Sequence, residues 1–269
     1  MWQPILVPLD GSDLAEQALP YAEALAEPGC QLILLEVGQE TDDDLSLPER
    51  HAGSCARLET AVGDPAEQIL RVARDLGVGM IVMTTHGRGA IGRWAFGSVA
   101  DTVTRMAPVP VLVVRPRPDV QGTVTPVMRR VVVPLDGSSL AEEALPVAEA
   151  LARRLGVPMH LVTAVAVTGL MPVEIVPTMP LDTTIYTETV AQIDADASAM
   201  LGVVSARLQH EGMRVTWEVL RGSAFTAIAE ALQEGDIIVM ASHGRSGVER
   251  WLLGSVAEKL IREGPVPVV

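Results

Sequence analysis

Two aspartates and two Gly-Ser pairs are the residues of this sequence best suited to bind a ligand. Asp10 and Asp136 each follow a short apolar run, and an aspartate there can accept hydrogen bonds from an adenine amino group or a ribose hydroxyl. Gly97-Ser98 and Gly254-Ser255 each lie at the start of a predicted helix. The free amides, the hydroxyl and the positive dipole end of such a helix can hold a phosphate. These residue types therefore indicate a site for a phosphorylated nucleoside.

Each of these residues also has a purely structural interpretation. Asp10 and Asp136 precede Gly-Ser at a predicted helix start, so their carboxylates could simply order the turn. Ser98 and Ser255 could act only as helix N-caps. Both interpretations stay open at the level of sequence.

Catalytic and metal chemistry find little support in the residues present. His86 and His243 have no serine or cysteine nucleophile with an aspartate partner spaced around them, so a hydrogen bond that orders the loop is the favoured interpretation. The single lysine, Lys259, lies outside any GxxxxGK loop, which excludes a Walker site. Cys30 and Cys55 are 25 residues apart without a CxxC, which is typical of a reduced cytosol and predicts neither a metal site nor a disulfide.

Composition narrows the class of protein further. The 269 residues carry a net charge of −14, which argues against a nucleic-acid surface or an anionic membrane surface. The apolar fraction is 48%, enough for a core in each of two domains. Neither a signal peptide nor a membrane span is predicted, so we expect a cytoplasmic protein.

The chain is an internal duplication. Residues 7–26 and 133–152 match at seventeen of twenty positions with an offset of 126, and residues 86–101 and 243–258 match at nine of sixteen with an offset of 157. The chain therefore contains two copies of one domain. The boundary is predicted in the Pro- and Gly-bearing stretch 116–128, which gives domains 1–120 and 128–269.

Strands and helices alternate in each copy. The strands predicted in copy one are 5–9, 32–37, 58–62, 80–84 and 109–114, with helices at 14–26, from Pro65 onward and at 98–105. Copy two repeats them at 131–135, 140–155, 159–165, 214–219, 224–234, 236–241, 255–262 and 266–269. Near-continuous apolar strands between helices predict an α/β protein with parallel sheets covered on both faces.

The copies differ in one helix. An apolar stripe from Ile185 to Leu208 predicts a long helix between the second and third strands of copy two. Copy one has too few residues at 38–57 for such a helix, so one sheet face should lack its cover. We expect the apolar loop 170–181 to pack against another subunit or the other domain, which would make the protein at least a dimer. The alternative is that this loop folds back on its own domain and that segment 38–57 collapses over the gap.

The motifs resemble those of the universal stress proteins over nearly the whole chain, twice. The matching pieces are VPLDGS near each copy's start, IVMTTHGR or IVMASHGR, GSVA, and a closing APVPVLVV or GPVPVV. The resemblance implies two tandem Rossmann-like domains of the adenine nucleotide alpha hydrolase-like type, each with a five-stranded parallel sheet flanked by helices. It also implies that the fifth strands of the two copies meet within one chain, as an internal pseudo-dimer.

The resemblance further implies a set of nucleotide-binding residues. ATP-binding members carry G-x-x-G, nine residues and then G-S/T; the spacing is intact here, with Thr84 and Ala241 in place of the first glycine. Because a methyl obstructs less than a branched side chain, we expect copy two to be the better binder. The residues carried over are Pro8, Asp10, Val37, Met83, Thr84, Gly87, Gly97, Ser98 and Val99 in copy one, and Pro134, Asp136, Val165, Met240, Ala241, Gly244, Gly254, Ser255 and Val256 in copy two.

The function implied is binding of ATP or a related adenine nucleotide, with Mg or Mn as the accompanying cation, by a stress-response or regulatory module that forms homo-oligomers. The alternative is a member that binds no nucleotide and serves as a dimerisation or docking scaffold. Slow ATP hydrolysis or self-phosphorylation is a third class, for which the sequence supplies no convincing general base.

Overall fold

The computed structural model describes residues 2–27, 29, 31–38, 56–86, 96–117, 126–166, 183–241 and 254–269. Segment 39–55 and loop 170–181 lie outside this part of the chain. The predicted bare sheet face and the packing of the apolar loop therefore stay predictions.

The first half forms a five-stranded parallel sheet. Its elements are β1 (Ile5–Leu9), α1 (Asp13–Glu16), α2 (Leu19–Leu25), β2 (Leu32–Gly38), β3 (Ala56–Val62), α3 (Pro65–Asp75), β4 (Met80–Thr84), α4 (Ser98–Met106) and β5 (Val111–Val114). The strand order is β3-β2-β1-β4-β5. The three central strands, β1, β2 and β4, are almost wholly buried, as expected of parallel strands covered on both faces.

The second half repeats the arrangement with four strands. Its elements are β6 (Arg130–Pro134), α5 (Ser139–Glu142), α6 (Leu145–Leu155), β7 (Met159–Val165), α7 (Thr183–His210), β8 (Val215–Arg221), α8 (Ala224–Ala231), β9 (Asp236–Ile238) and α9 (Ser255–Glu263). The strand order is β8-β7-β6-β9. The fold class predicted from the sequence is confirmed, and so is the long helix of copy two, which is α7.

The predicted fifth strand of copy two is reduced to one bridging residue. Val268 bridges Ile238 in parallel and Val113 in antiparallel orientation. The Val113 amide donates to the Val268 carbonyl over 2.7 Å, and the Val268 amide donates back over 3.1 Å. Residues 267–269 also pair with the end of β9, since the Ile238 amide donates to the Pro267 carbonyl at 3.0 Å and the Val269 amide donates to the Ile238 carbonyl at 2.8 Å. The predicted fifth strand of the second sheet is thus present only as this short pairing, and the sheet has four full strands.

This bridge joins the two halves edge to edge and confirms that the fifth strands meet inside one chain. A second contact reinforces it: the Arg154 guanidinium on α6 donates to the carbonyl oxygens of Leu25, over 3.1 Å, and of Ala26. One apolar cluster contains buried residues of both halves, including Leu25 and Leu151. The duplication therefore folds as an internal pseudo-dimer.

The first helix predicted in each copy is broken in two. Pro20 and Pro146 lie in the first turn of α2 and α6. Proline has no N–H to donate to the carbonyl of the preceding turn, and its ring clashes with that turn, so it kinks or breaks a helix. The capping prediction for α3 holds, since the Asp64 carboxylate accepts from the Glu67 amide at 3.0 Å and Pro65 follows as the first helical residue.

A buried histidine distinguishes the second sheet from the first. His160 on β7 is 8% exposed, and its Nδ1 lies 2.8 Å from the Thr216 hydroxyl. Burial lowers the pKa of His160 below its ordinary 6.5, and the Arg130 guanidinium lowers it further, against the opposing carboxylates of Glu218 and Asp236. The folded protein therefore holds this ring neutral.

This predicts a pH-dependent loss of stability. A histidine whose pKa is depressed on folding contributes stability above the unfolded value of 6.5, and that contribution is lost as pH falls from there towards the folded pKa. We expect the free energy of unfolding of His160→Ile, measured by urea titration, to fall less than that of the parent between pH 7.5 and 5. Isoleucine is a fitting replacement because Ile33 occupies the equivalent position of β2. Parallel pH profiles of the two proteins would contradict the prediction.

Within the described ranges, no helix has the length and apolar character needed to cross a membrane. The same part of the chain contains no cluster of three histidine, cysteine or acidic side chains arranged to hold a metal ion.

Candidate functional site

A cavity lies at the carboxyl ends of β1 and β4, the point where the strand order of the first sheet reverses. From β1 the chain continues to β2 on one side, whereas β4 lies on the other side of β1. In open parallel sheets this crevice is the usual ligand site, because the loops leaving the two strands diverge there. The cavity has a volume of about 370 Å³.

This cavity is lined by all but one of the copy-one residues that the family resemblance implies. Four separate segments bring them together: the end of β1, the end of β2, the end of β4 and the start of α4. The residues are Pro8, Asp10, Val37, Met83, Thr84, Gly97, Ser98 and Val99. Gly87 lies outside the described residues.

An equivalent but smaller cavity lies in the second half, with a volume of about 210 Å³. It is lined by Pro134, Asp136, Met240, Ala241, Gly254, Ser255 and Val256. Gly244 lies outside the described residues.

The structure corrects one residue expected at the second cavity. Ala164 lines this cavity in place of Val165. Pro8 pairs with Leu35 and Pro134 pairs with Val162, so the equivalent of Val37 is Ala164. Successive side chains of a strand point to opposite faces, so an alignment error of one residue moves the side chain away from the cavity.

Both aspartates order their own turns. Asp10 Oδ1 accepts from the Ser12 amide at 3.0 Å and from the Ser12 hydroxyl at 2.6 Å. Asp136 makes the same pair of bonds to Ser138, at 2.9 and 2.5 Å. Each serine hydroxyl in turn caps the helix that follows. Ordering of the turn thus accounts for one oxygen, Oδ1, of each aspartate. These bonds fix each carboxylate at the rim of its cavity.

The structural interpretation of Ser98 and Ser255 fails. The N-caps of α4 and α9 are Gly97 and Gly254, and neither helix start has a side-chain cap. Ser98 and Ser255 are instead the first helical residues. The amides of a first helical turn have no partner within the helix, so α4 presents such amides together with the Ser98 hydroxyl to the first cavity.

Gly97 allows α4 to approach β4 closely. Its amide donates to the Thr85 carbonyl at 3.0 Å, and a Cβ at this position would lie 3.0 Å from the same oxygen. A larger residue would push the start of α4 away from the end of β4, and the cavity lies between these two segments.

The loop after β4 is held by its own side chains. The Thr84 hydroxyl donates to the His86 carbonyl at 2.7 Å, and the Thr85 hydroxyl lies 2.8 Å from His86 Nδ1. The loop-ordering role predicted for His86 is thereby confirmed. Burial lowers the pKa of His86, as does the nearby Arg115 guanidinium, so both favour the neutral ring, which supplies no charge for a phosphate. His243 lies outside the described residues.

Sequence reasoning missed the side wall of the first cavity. Leu35, Pro65 and Ile69 also line it. A period of two from Val37 would have found Leu35, because alternate residues share a face. Pro65 and Ile69 belong to α3, and only the packing of that helix over the sheet brings them to the cavity.

Comparison with known proteins identifies the family. The model of the universal stress protein family matches residues 39–115 and 128–269. The chain therefore belongs to the universal stress protein family. Strands β1 and β2 precede the first match but lie in the same sheet as β3, β4 and β5.

Individual relatives agree with this assignment. A universal stress protein of Mycobacterium tuberculosis is 30% identical over 190 residues, which is 71% of this chain and 60% of that relative, so the chain spans 60% of its length. One from Thermus aquaticus is 34% identical over 137 residues, covering 43% of this chain and 100% of that protein. The crystal structure of a universal stress protein from Archaeoglobus fulgidus matches 98% of this chain and 96% of its own, with a TM-score of 0.68 and 23% identity, which supports the fold.

Proposed function

We propose that this universal stress protein binds an adenine nucleotide, ATP or a close relative, as a stress-response or regulatory module. The observation that carries the proposal is the first cavity, in which four segments distant in sequence bring together an aspartate, an apolar wall and the amide end of a helix. Its volume of about 370 Å³ lies within the range usual for small-molecule sites.

Each part of the cavity suits one part of a nucleotide. Pro8 and Val37 supply apolar surface for a base, and Asp10 supplies the acceptor for an amino group or a ribose hydroxyl. The start of α4, with Ser98 and Val99, supplies donors for phosphate. The protein's net charge of −14 does not oppose this, because helix amides bind phosphate without any basic side chain.

A divalent cation, Mg or Mn, would accompany the phosphates. Mg²⁺ is usually held by one or two carboxylates, the substrate phosphates and several waters.

The two sites should be unequal, with the first the stronger. The second cavity, at about 210 Å³, is smaller than the first and lies below the usual range for ligand pockets. The Thr84 hydroxyl is engaged with the His86 carbonyl within its own turn. From sequence alone, Thr84 and Ala241 predict the reverse ranking, with the second site the stronger. The ranking changes because the Thr84 side chain is bonded within its own turn and so leaves the first cavity open.

Calorimetric titration with Mg-ATP tests the proposal. We expect Asp10→Asn to weaken the tighter site about tenfold or more, because a hydrogen bond to a charged group contributes roughly 1.5–3 kcal/mol. Asparagine keeps an oxygen that can accept from the Ser12 amide, so the turn should persist. Asp136→Asn is the matched control and should leave the tighter site unchanged. Full retention of tight binding in Asp10→Asn, with loss in Asp136→Asn, would contradict the ranking.

The scaffold alternative has one observation in its favour. In both cavities one carboxylate oxygen of the aspartate is already bonded to the turn it orders. A protein that binds no ATP at millimolar concentration, with its fold intact by circular dichroism, would support the scaffold and refute nucleotide binding.

Homo-oligomer formation and a cytoplasmic location belong to this proposal as well. Light scattering tests the first: a particle of 28.6 kDa, the mass of one chain, would exclude an oligomer beyond the internal pseudo-dimer.

A further inference from the structure

A second kind of cavity lies between the two halves, away from the candidate nucleotide sites. It has a volume of about 360 Å³ and is lined from both copies: by Gln17 and Tyr21 at the α1–α2 junction, by Arg115 and Arg117 after β5, and by residues 232–236 and 265–267 of the second half. A cavity of this size can take a small organic molecule.

The two copies of the repeat differ mainly at residues that line the cavities between the halves. Residues 7–26 and 133–152 differ at three of twenty positions: Asp13 against Ser139, Gln17 against Glu143, and Tyr21 against Val147. Both members of the last two pairs line interdomain cavities, because Glu143 and Val147 line a related cavity of about 270 Å³ on the other side of the junction. The divergence within this repeat is thus concentrated on these cavities.

Arg117 contributes a cationic side chain to the lining of the first interdomain cavity. The backbone of Arg117 is held by Gln17, whose amide group donates to the Arg117 carbonyl at 3.0 Å and whose oxygen accepts from the Arg117 amide at 2.8 Å. These two bonds leave the guanidinium uninvolved, and it makes no hydrogen bond to any other described residue. The main chain of Arg117 is therefore held in place, and its side chain, which is exposed to solvent, has its charge available to a ligand.

Tyr21 adds a hydrogen-bond donor beside that charge. Burial raises the pKa of Tyr21 above 10, and the Arg117 guanidinium only partly offsets this, so the phenol stays protonated. No other described residue makes a hydrogen bond to this hydroxyl. The equivalent residue of the other interdomain cavity, Val147, cannot donate.

The acidic residues that line the cavity do not neutralise the Arg117 charge. Asp236 is buried and already paired, since its carboxylate receives two hydrogen bonds from Arg130, at 2.9 and 2.6 Å, and one from the Gln233 amide at 2.8 Å. Glu234 is exposed to solvent, as Arg117 is, so water screens the attraction between these two charges. Apolar side chains such as Leu232 and Val266 form much of the remaining wall.

We propose that this interdomain cavity binds a small organic monoanion with a compact apolar body, whose charged group is held by Arg117 and the Tyr21 hydroxyl. Charge-assisted bonds from a guanidinium and a phenol recognise a carboxylate or sulfonate, and the apolar wall takes the hydrocarbon part. The related cavity has no arginine or lysine among its described lining residues, so it should not bind the same ligand.

Fluorescence titration with anilinonaphthalene sulfonate, an organic anion with an apolar body, tests this site. We expect saturable binding by the full chain that excess ATP does not displace. Arg117→Ala should weaken it about tenfold, because a charge-assisted bond is lost, and Tyr21→Phe about fivefold, because a neutral donor is lost. Neither substitution removes the Gln17 bonds, which involve only the backbone of Arg117.

Two controls separate the site from general effects. Arg74→Ala, on α3, changes the net charge equally, and Val147→Ala changes the other interdomain cavity; both should bind the probe like the parent. Unchanged affinity in both Arg117→Ala and Tyr21→Phe would overturn the proposal. Displacement by ATP would overturn it too, since it would place the probe in a nucleotide site. An absence of ATP binding with intact probe binding would refute the proposed function and leave this site standing.

Discussion

Replacing Arg130 by methionine should cost about 3–5 kcal/mol of unfolding free energy, the range usual when one partner of a buried ion pair is removed. Arg130 on β6 and Asp236 on β9 form a bidentate ion pair, in which Nε and Nη2 of the arginine donate to the two carboxylate oxygens at 2.9 and 2.6 Å. The Asp236 side chain is 2% exposed. Methionine retains much of the packing volume but leaves the carboxylate buried without its counter-charge. Urea unfolding at neutral pH measures the loss.

The same substitution on an exposed pair provides the control. Arg207 on α7 lies 3.4 Å from Glu142 on α5, and the two side chains are 51% and 38% exposed. Exposed pairs contribute about 0–1 kcal/mol, so Arg207→Met should unfold nearly like the parent. Equal losses in the two variants would show that burial of the Asp236 carboxylate is not the cause.

Gly79→Ala should cost about 3 kcal/mol, at the upper end of overpacking effects. A Cβ at this position would lie 2.5 Å from the Trp2 Cα and 2.8 Å from the Gln3 nitrogen. These are backbone atoms just before β1, and the Gly79 amide also donates to the Pro4 carbonyl at 2.9 Å. The segment before β1 cannot move away without losing this bond. Thermal unfolding gives the measurement.

Gly202→Ala makes the same chemical change where there is room. Gly202 lies within α7, and no atom comes within 4 Å of the added Cβ. Alanine is the better helix former by about 0.8–1.0 kcal/mol, so this variant should be more stable than the parent. Opposite signs at the two glycines are expected; destabilisation at both would mean that the free space at Gly202 is not what decides the effect.

Local features of the sequence were sufficient to predict the element order. Apolar runs predicted β1, β2 and β4 because a parallel strand buried on both faces must be apolar throughout. The Asp64-Pro65 pair predicted the start of α3 because capping depends only on neighbouring residues. The helix breaks before Pro20 and Pro146 were missed, although the chemistry of proline is equally local.

Positions that depend on register were predicted less well. Val165 was expected at the second cavity, and the strand pairing places Ala164 there. Ser98 and Ser255 were weighed as possible N-caps, but Gly97 and Gly254 hold those positions. In both cases a shift of one residue changes the direction of a side chain, and only pairing or helix geometry sets that shift.

The sequence by itself determined that this protein is a duplicated α/β domain with an aspartate and a Gly-Ser pair at the loop ends of each copy, because these features are written in short runs of neighbouring residues. The tertiary structure alone decided that Val268 is shared between the sheets, that the two candidate sites differ in volume, and that Tyr21 and Arg117 meet in a cavity between the halves. These properties arise where segments about a hundred or more residues apart pack together, and no local pattern encodes the side chain that will face another across such a junction.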